Sequence, residues 1–90
     1  MIELYSETTL LGWEAISWVR DGRLFVRYRD EEELMINISD REGRIDEGRW
    51  YMFYGALCLW AAELTQLDFM DIVRGGATSD AAPCIVLELP

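Results

Sequence analysis

Residues 13–29 read WEAISWVRDGRLFVRYR, and the Asp21-Gly22 pair at their centre decides the fold. Asp-Gly is the composition of a two-residue type I′ turn, whose twist matches that of the antiparallel strands it joins. A turn at this point sets Val19 opposite Leu24, Ser17 opposite Val26 and Ala15 opposite Tyr28 on one side. The other side pairs Trp18 with Phe25 and Glu14 with Arg29. An aromatic pair and an oppositely charged pair each contribute about 0.2–1 kcal/mol across strands. Arg20 opposite Arg23 is the one unfavourable pair, and it lies beside the turn where water and salt screen it. A competing reading makes Thr8–Arg20 a helix, with Trp13, Ile16 and Val19 on one face. That helix lacks a capping box after Ser6 and contains Gly12, which costs about 1 kcal/mol relative to Ala. The hairpin is the better reading.

Before the hairpin, Ile2–Tyr5 forms a short strand. After it, the acidic run Asp30–Glu33 (DEEE) reads as a turn, and Leu34, Ile36 and Ile38 alternate with Met35, Asn37 and Ser39 as a third strand of a meander. Ser39–Gly48 is a polar loop in which Asp46 suits a helix N-cap and Glu47 suits the positive end of a helix dipole. Residues 49–66 then read as the principal helix. Trp50, Phe53, Tyr54, Leu57 and Leu64, with Trp60 or Ala61, share one face. The opposite face, Tyr51, Met52, Cys58, Leu59 and Ala62, is apolar as well, and a helix hydrophobic all round is buried all round. One sheet covers one side only, so the other side calls for the C-terminal segment, a second copy of the chain or another protein. Leu67–Val73 keeps helical spacing, residues 74–83 have the composition of a linker, and Cys84–Leu89 reads as a strand added to the same sheet. The expectation is a single α+β domain over residues 1–90. A small antiparallel sheet (a meander) packs on one main α-helix and is completed by a C-terminal strand.

Charge narrows the function. Seventeen acidic residues face eight basic ones, all arginine, for a formal charge of −9, and neither Lys nor His occurs. Phosphate binding rests on Lys and Arg, so direct binding to nucleic acid or to an anionic membrane is disfavoured, and a basic partner is favoured. The N-terminus has no basic region followed by an apolar core, and the longest apolar run is shorter than the ~20 residues that span a bilayer. A cytoplasmic protein is expected. Cys58 and Cys84 stand in apolar surroundings with no CxxC and no His, which leaves no zinc ligand set. They read as two small buried hydrophobes under reducing conditions rather than as a disulfide.

Chemistry finds little to work with. Without His or Lys the general bases reduce to carboxylates, Tyr and Cys. The pairs Asp68 with Asp71 and Glu31 with Glu33 read as solvated surface, and DEEE lacks the ligand spacing of a calcium loop. GGATSD at 75–80 lacks the Lys of a phosphate-binding loop. Cys58 is placed in an apolar helix that keeps its thiol protonated. No catalytic residue, no cofactor and no metal is expected, and the chain reads as a non-enzymatic binding protein.

Two features remain for binding. One is the aromatic helix at 49–66, rich in the residue types of interface hot spots and a candidate homodimer contact. The other is acidic density on turns and loops: Glu7, Asp30, Glu31, Glu32, Glu33, Asp40, Glu42, Asp46, Glu47, Asp68, Asp71 and Asp80. Carboxylates spaced on rigid turns stand in for the phosphates of DNA, which carry one charge per ~1.7 Å of duplex. In size and charge, and through these acidic residues rather than a signature motif, the chain resembles the small phage-encoded anti-CRISPR inhibitors that mimic DNA. The resemblance implies binding to the DNA-binding surface of an RNA-guided surveillance complex, a Cas protein or another nucleic-acid-binding protein, in the host cytoplasm. The contact residues would be Asp30, Glu31, Glu32, Glu33, Asp40, Glu42, Asp46, Glu47, Asp68 and Asp71. Arg20, Arg23, Arg27, Arg29, Arg41 and Arg44 depart from a pure mimic. An alternative is a bacterial immunity or regulatory protein that dimerises through residues 49–66 and neutralises a basic toxin or nuclease.

Overall fold

A computed structural model describes residues 2–76 and 79–90. Strands β1 (Tyr5–Leu10), β2 (Trp13–Arg20) and β3 (Arg23–Tyr28) are followed by helices α1 (Glu31–Asn37), α2 (Glu47–Thr65) and α3 (Phe69–Arg74), and strand β4 (Cys84–Glu88) closes the order. The four strands form one antiparallel sheet in the order β1-β2-β3-β4. The mixed α+β architecture expected from the sequence is therefore present, with a main helix of 19 residues and a C-terminal strand.

The central hairpin has the expected register throughout, from Ala15 opposite Tyr28 to Arg20 opposite Arg23. Asp21 and Gly22 both have positive φ, 52° and 73°, as a type I′ turn demands. A second two-residue turn of the same kind precedes it, with Leu11 at φ 53° and Gly12 at 84°. This turn overturns one expectation and upholds another. The first strand is Tyr5–Leu10 rather than Ile2–Tyr5, because a two-residue loop at 11–12 pins Leu10 opposite Trp13 and Tyr5 opposite Trp18. The preference for strands over a helix at Thr8–Arg20 holds, since those residues supply parts of two strands and the turn between them.

The third strand expected at 34–38 is helix α1, and DEEE is its cap and first turn. The Asp30 carboxylate accepts the Glu33 N–H at 3.1 Å, and Glu31, Glu32 and Glu33 occupy the first turn, where the helix dipole favours negative charge. A strand would place Leu34, Ile36 and Ile38 on one face. The helix instead buries Leu34 and Ile38, four apart, and leaves Ile36 71% exposed. The next helix follows the sequence reading: Asp46 caps α2 by accepting the Arg49 N–H at 3.2 Å. Its far end stops at Gln66, in the left-handed region at φ 63°.

All three helices lie between β3 and β4 in the chain, yet Cys84 pairs with Arg27, so the chain returns to the sheet where it left. One helical layer thus covers one sheet face. Ala15, Leu24, Val26, Tyr28 and Ile85 from the sheet form the core with Trp50, Phe53, Tyr54, Leu57, Cys58 and Ala61 of α2, joined by Leu34, Ile38 and Ile72. Polar atoms inside this core have partners. The Tyr28 hydroxyl donates to the Phe53 carbonyl at 2.8 Å, and the Trp50 indole donates to the Ala81 carbonyl at 2.7 Å, which ties the approach to β4 onto α2. The far face of α2, which calls for a further cover, is only partly covered within one chain, and Cys58 is the fully buried residue there. Tyr51 and Met52 are each 51% exposed and Leu59 is 58% exposed, because the sheet, α1 and α3 reach only the remaining faces. Cys84, expected to be buried, is exposed: β4 is an edge strand and this position faces outward.

Candidate partner-binding surface

The ten carboxylates singled out in the sequence do not form one free array. Three are helix N-caps: Asp30 for α1, Asp46 for α2, and Asp68 for α3, which accepts the Asp71 N–H at 3.3 Å. Four are ion-paired. Glu31 meets Arg27 at 3.0 Å, Asp71 meets Arg74 at 3.8 Å, and Asp40 and Glu42 share Arg44 at 3.6 and 2.9 Å. Asp40 also accepts the backbone N–H groups of Glu42 and Arg44 and so shapes the loop between α1 and α2. Glu32, Glu33 and Glu47 are exposed and carry neither duty. Of the phosphate-loop reading at 75–80, Ala77 and Thr78 lie outside the described residues.

Charge is nevertheless sorted by layer. On the outer face of the sheet each carboxylate has an arginine: Glu88 with Arg23 at 2.9 Å, Glu14 with Arg29 at 3.0 Å, and Glu7 also with Arg29. Tyr5 completes the last cluster, accepting from Arg29 and donating to Glu7. Together these contacts, the Tyr5 hydrogen bond first, raise the Arg29 pKa above its ordinary value. Exposed ion pairs of this kind contribute little stability, but they cancel charge locally. The helical layer is different. Among the described residues, Asp30, Glu32, Glu33, Asp46, Glu47, Glu63 and Asp68 all belong to helices or their caps and have no ion pair. The surplus behind the formal −9 therefore sits mainly on the helical side.

Burial pushes Tyr28 upward, Tyr54 up to about 12 and the Cys58 thiol upward, while the thiol of Cys84, an exposed residue, is raised by partial desolvation and by the nearby Glu31 carboxylate. Each shift favours the protonated form. Among the described residues no group of three or more His, Cys, Asp or Glu is placed to hold a metal ion, and no helix is long and apolar enough to cross a membrane.

One surface escaped the sequence reading. Tyr5, Trp18, Phe25 and Val86 lie directly opposite one another across all four strands, on the sheet face that no helix covers. Trp18 and Phe25 stack with centroids 5.3 Å apart and planes within 6°, and the Arg27 guanidinium lies 5.8 Å from the Trp18 ring centre. Half of this row was legible in the Trp18–Phe25 pairing. The other half required the registers of β1 and β4, which the residues of the central hairpin do not specify. Comparison with protein-family models, with curated proteins and with solved structures finds no match for this chain.

Proposed function

We propose that this protein is a non-catalytic inhibitor that binds a basic surface of a nucleic-acid-binding protein through its helical layer and competes there with nucleic acid. One observation carries the reading: among the described residues, seven carboxylates without an arginine partner, Asp30, Glu32, Glu33, Asp46, Glu47, Glu63 and Asp68, lie on the helical layer, against Glu3 ahead of β1, while the carboxylates of the strands are matched by arginine. Such a layer is steered toward a cationic groove at long range and occupies the place of phosphates. The resemblance in size and charge to DNA-mimicking anti-CRISPR inhibitors makes an RNA-guided surveillance complex in a host cytoplasm the first target to test. The reading differs from a continuous phosphate array, because three of the seven carboxylates also cap helices.

The test is competition with duplex DNA for a purified RNA-guided complex, repeated across salt concentrations. An acidic-layer contact loses affinity steeply as salt shortens the screening length from about 10 Å toward 3 Å. Reversing charge at Glu32→Arg and Glu33→Arg, both exposed, weakens it by about tenfold or more, since each reversal changes a contact worth about 1 kcal/mol even in water. Tyr51, Met52 and Leu59, half exposed on α2, favour a second reading in which an apolar contact neutralises a basic toxin or nuclease. Affinity indifferent to salt and to the two reversals but lost on Leu59→Glu would select that reading and reject the first.

A further inference from the structure

We propose that the uncovered face of the sheet is a self-association surface, and that two copies of the chain pack these faces together about a two-fold axis. An antiparallel sheet open to water on one side ordinarily turns polar residues outward. Here the outward positions of the four strands include Tyr5, Trp18, Phe25 and Val86 in a single cross-strand row. Val86 is 53% and Tyr5 50% exposed. Aromatic residues and arginine are the types enriched at interface cores, and the stacked Trp18–Phe25 pair with Arg27 beside it occupies the two central strands.

Charge identifies the occupant. Arg20, Arg23, Arg27 and Arg29 are already matched by Asp21, Glu88, Glu31, Glu7 and Glu14, so among the described residues the strands offer on this face no unmatched cation to a nucleic acid or an acidic partner and no unmatched anion to a basic one. A near-neutral, self-matched face suits a copy of itself. Two molecules of charge −9 repel most strongly where their surplus carboxylates meet, and this surplus lies on the helical layer. Packing sheet to sheet is the arrangement that keeps those layers farthest apart, with the two sheets about 10 Å apart in the middle and the helices outside. Four strands about 4.8 Å apart, with same-face residues about 7 Å apart along each, give a footprint of roughly 400 Å² in projection. Side-chain relief raises this toward roughly 600 Å² per copy, the lower end of the range for specific complexes, so the dimer is one of modest affinity. Helix α2 is the weaker candidate for the same contact, because Glu47 and Glu63 stand at the two ends of its exposed apolar strip and have no ion pair.

The proposal is independent of the inhibitory reading, and its salt dependence has the opposite sign. Sedimentation equilibrium of the intact chain should show a monomer–dimer equilibrium that tightens as salt rises, because screening relieves the repulsion between like-charged copies. Val86→Glu should give a monomer with an unchanged far-ultraviolet spectrum, and Leu59→Glu should leave the dimer intact. Tyr5→Glu, at the other end of the row, repeats the test should Val86→Glu fail to fold. A wild-type chain that stays monomeric at about 100 µM, where interfaces of this size are populated, would overturn the proposal. So would a dimer that survives both sheet variants or is lost on Leu59→Glu, and so would a monomer that takes a single-stranded oligonucleotide on the same face.

Discussion

Removing one oxygen, by Tyr28→Phe, tests how the sheet and the main helix are joined. Tyr28 is fully buried on β3; its ring meets Phe53 edge-on at 5.5 Å and its hydroxyl donates to the Phe53 carbonyl at 2.8 Å. Phe keeps the ring contact, and the carbonyl lies inside α2, where the helical bond still satisfies it, so no acceptor is orphaned. The loss is then the net value of one neutral hydrogen bond, about 1 kcal/mol, or a fall of about 4–8 °C in Tm for a chain of this size. Urea unfolding followed by tryptophan fluorescence should show a lower midpoint with an unchanged slope. The pH dependence sharpens the test. Burial holds the Tyr28 phenol protonated above its ordinary value of 10.0. Above pH ~10 the unfolded chain therefore binds fewer protons than the native one, and stability falls as pH rises, by up to ~1.4 kcal/mol per unit for this group. The phenylalanine variant lacks this loss. It should be the less stable protein at pH 7, draw level near pH ~11 and be the more stable one beyond. A variant as stable as wild type at neutral pH, or curves that stay parallel into alkali, would refute the bond and its burial together.

Two further substitutions probe the elements that the sequence concealed. Asp30→Ala should cost about 1 kcal/mol and speed amide exchange across Glu31–Asn37 selectively, because the cap of α1 is lost; were the segment a strand, the change would leave exchange there untouched. Leu11→Asn should stabilise the chain by a few tenths of a kcal/mol to ~1 kcal/mol in thermal unfolding, since Leu11 sits at φ 53° and 51% exposed in a turn that favours Asn-Gly. A lower Tm would show that the partial burial of the Leu11 side chain outweighs the backbone strain.

Legibility depended on turn chemistry and segment length as well as on sequence distance. The hairpin 13–29 was readable to the residue because Asp21-Gly22 fixes the turn and the cross-strand pairs check one another. Its neighbour β1 was displaced because Leu11-Gly12 makes the same turn with a residue that seldom adopts positive φ. Helix α1 was mistaken for a strand because the five residues 34–38 are too few to separate a period of 2 from one of 3.6, and Leu34 and Ile38 fit either. The deciding signal was the one that located α2: an aspartate followed by acidic residues at a helix start. Across the sheet, the row that joins Tyr5 to Val86 depends on β4 pairing with β3 from about 60 residues away, which local patterning does not report. For the site the lesson is similar. Acidic residues read as contact surface proved to include Asp30, Asp46 and Asp68, whose first duty is to begin helices.

That double duty allows charge to be separated from fold. Ser accepts the same N-terminal hydrogen bonds as Asp with comparable capping strength, but without charge. Replacing Asp30, Asp46 and Asp68 by Ser together reduces the formal charge from −9 to −6 while each helix keeps its cap. Stability should fall by no more than the dipole contribution, about 0.3–1 kcal/mol per site at low salt, a loss that salt itself diminishes. Binding to a basic partner through the helical layer should weaken more than stability does, and its salt dependence should become shallower by about the number of charges that touched the partner. If the three carboxylates matter only as caps, affinity and salt slope will both stay at the wild-type value. The work of the layer would then rest on Glu32, Glu33, Glu47 and Glu63, whose replacement alters charge without touching a cap.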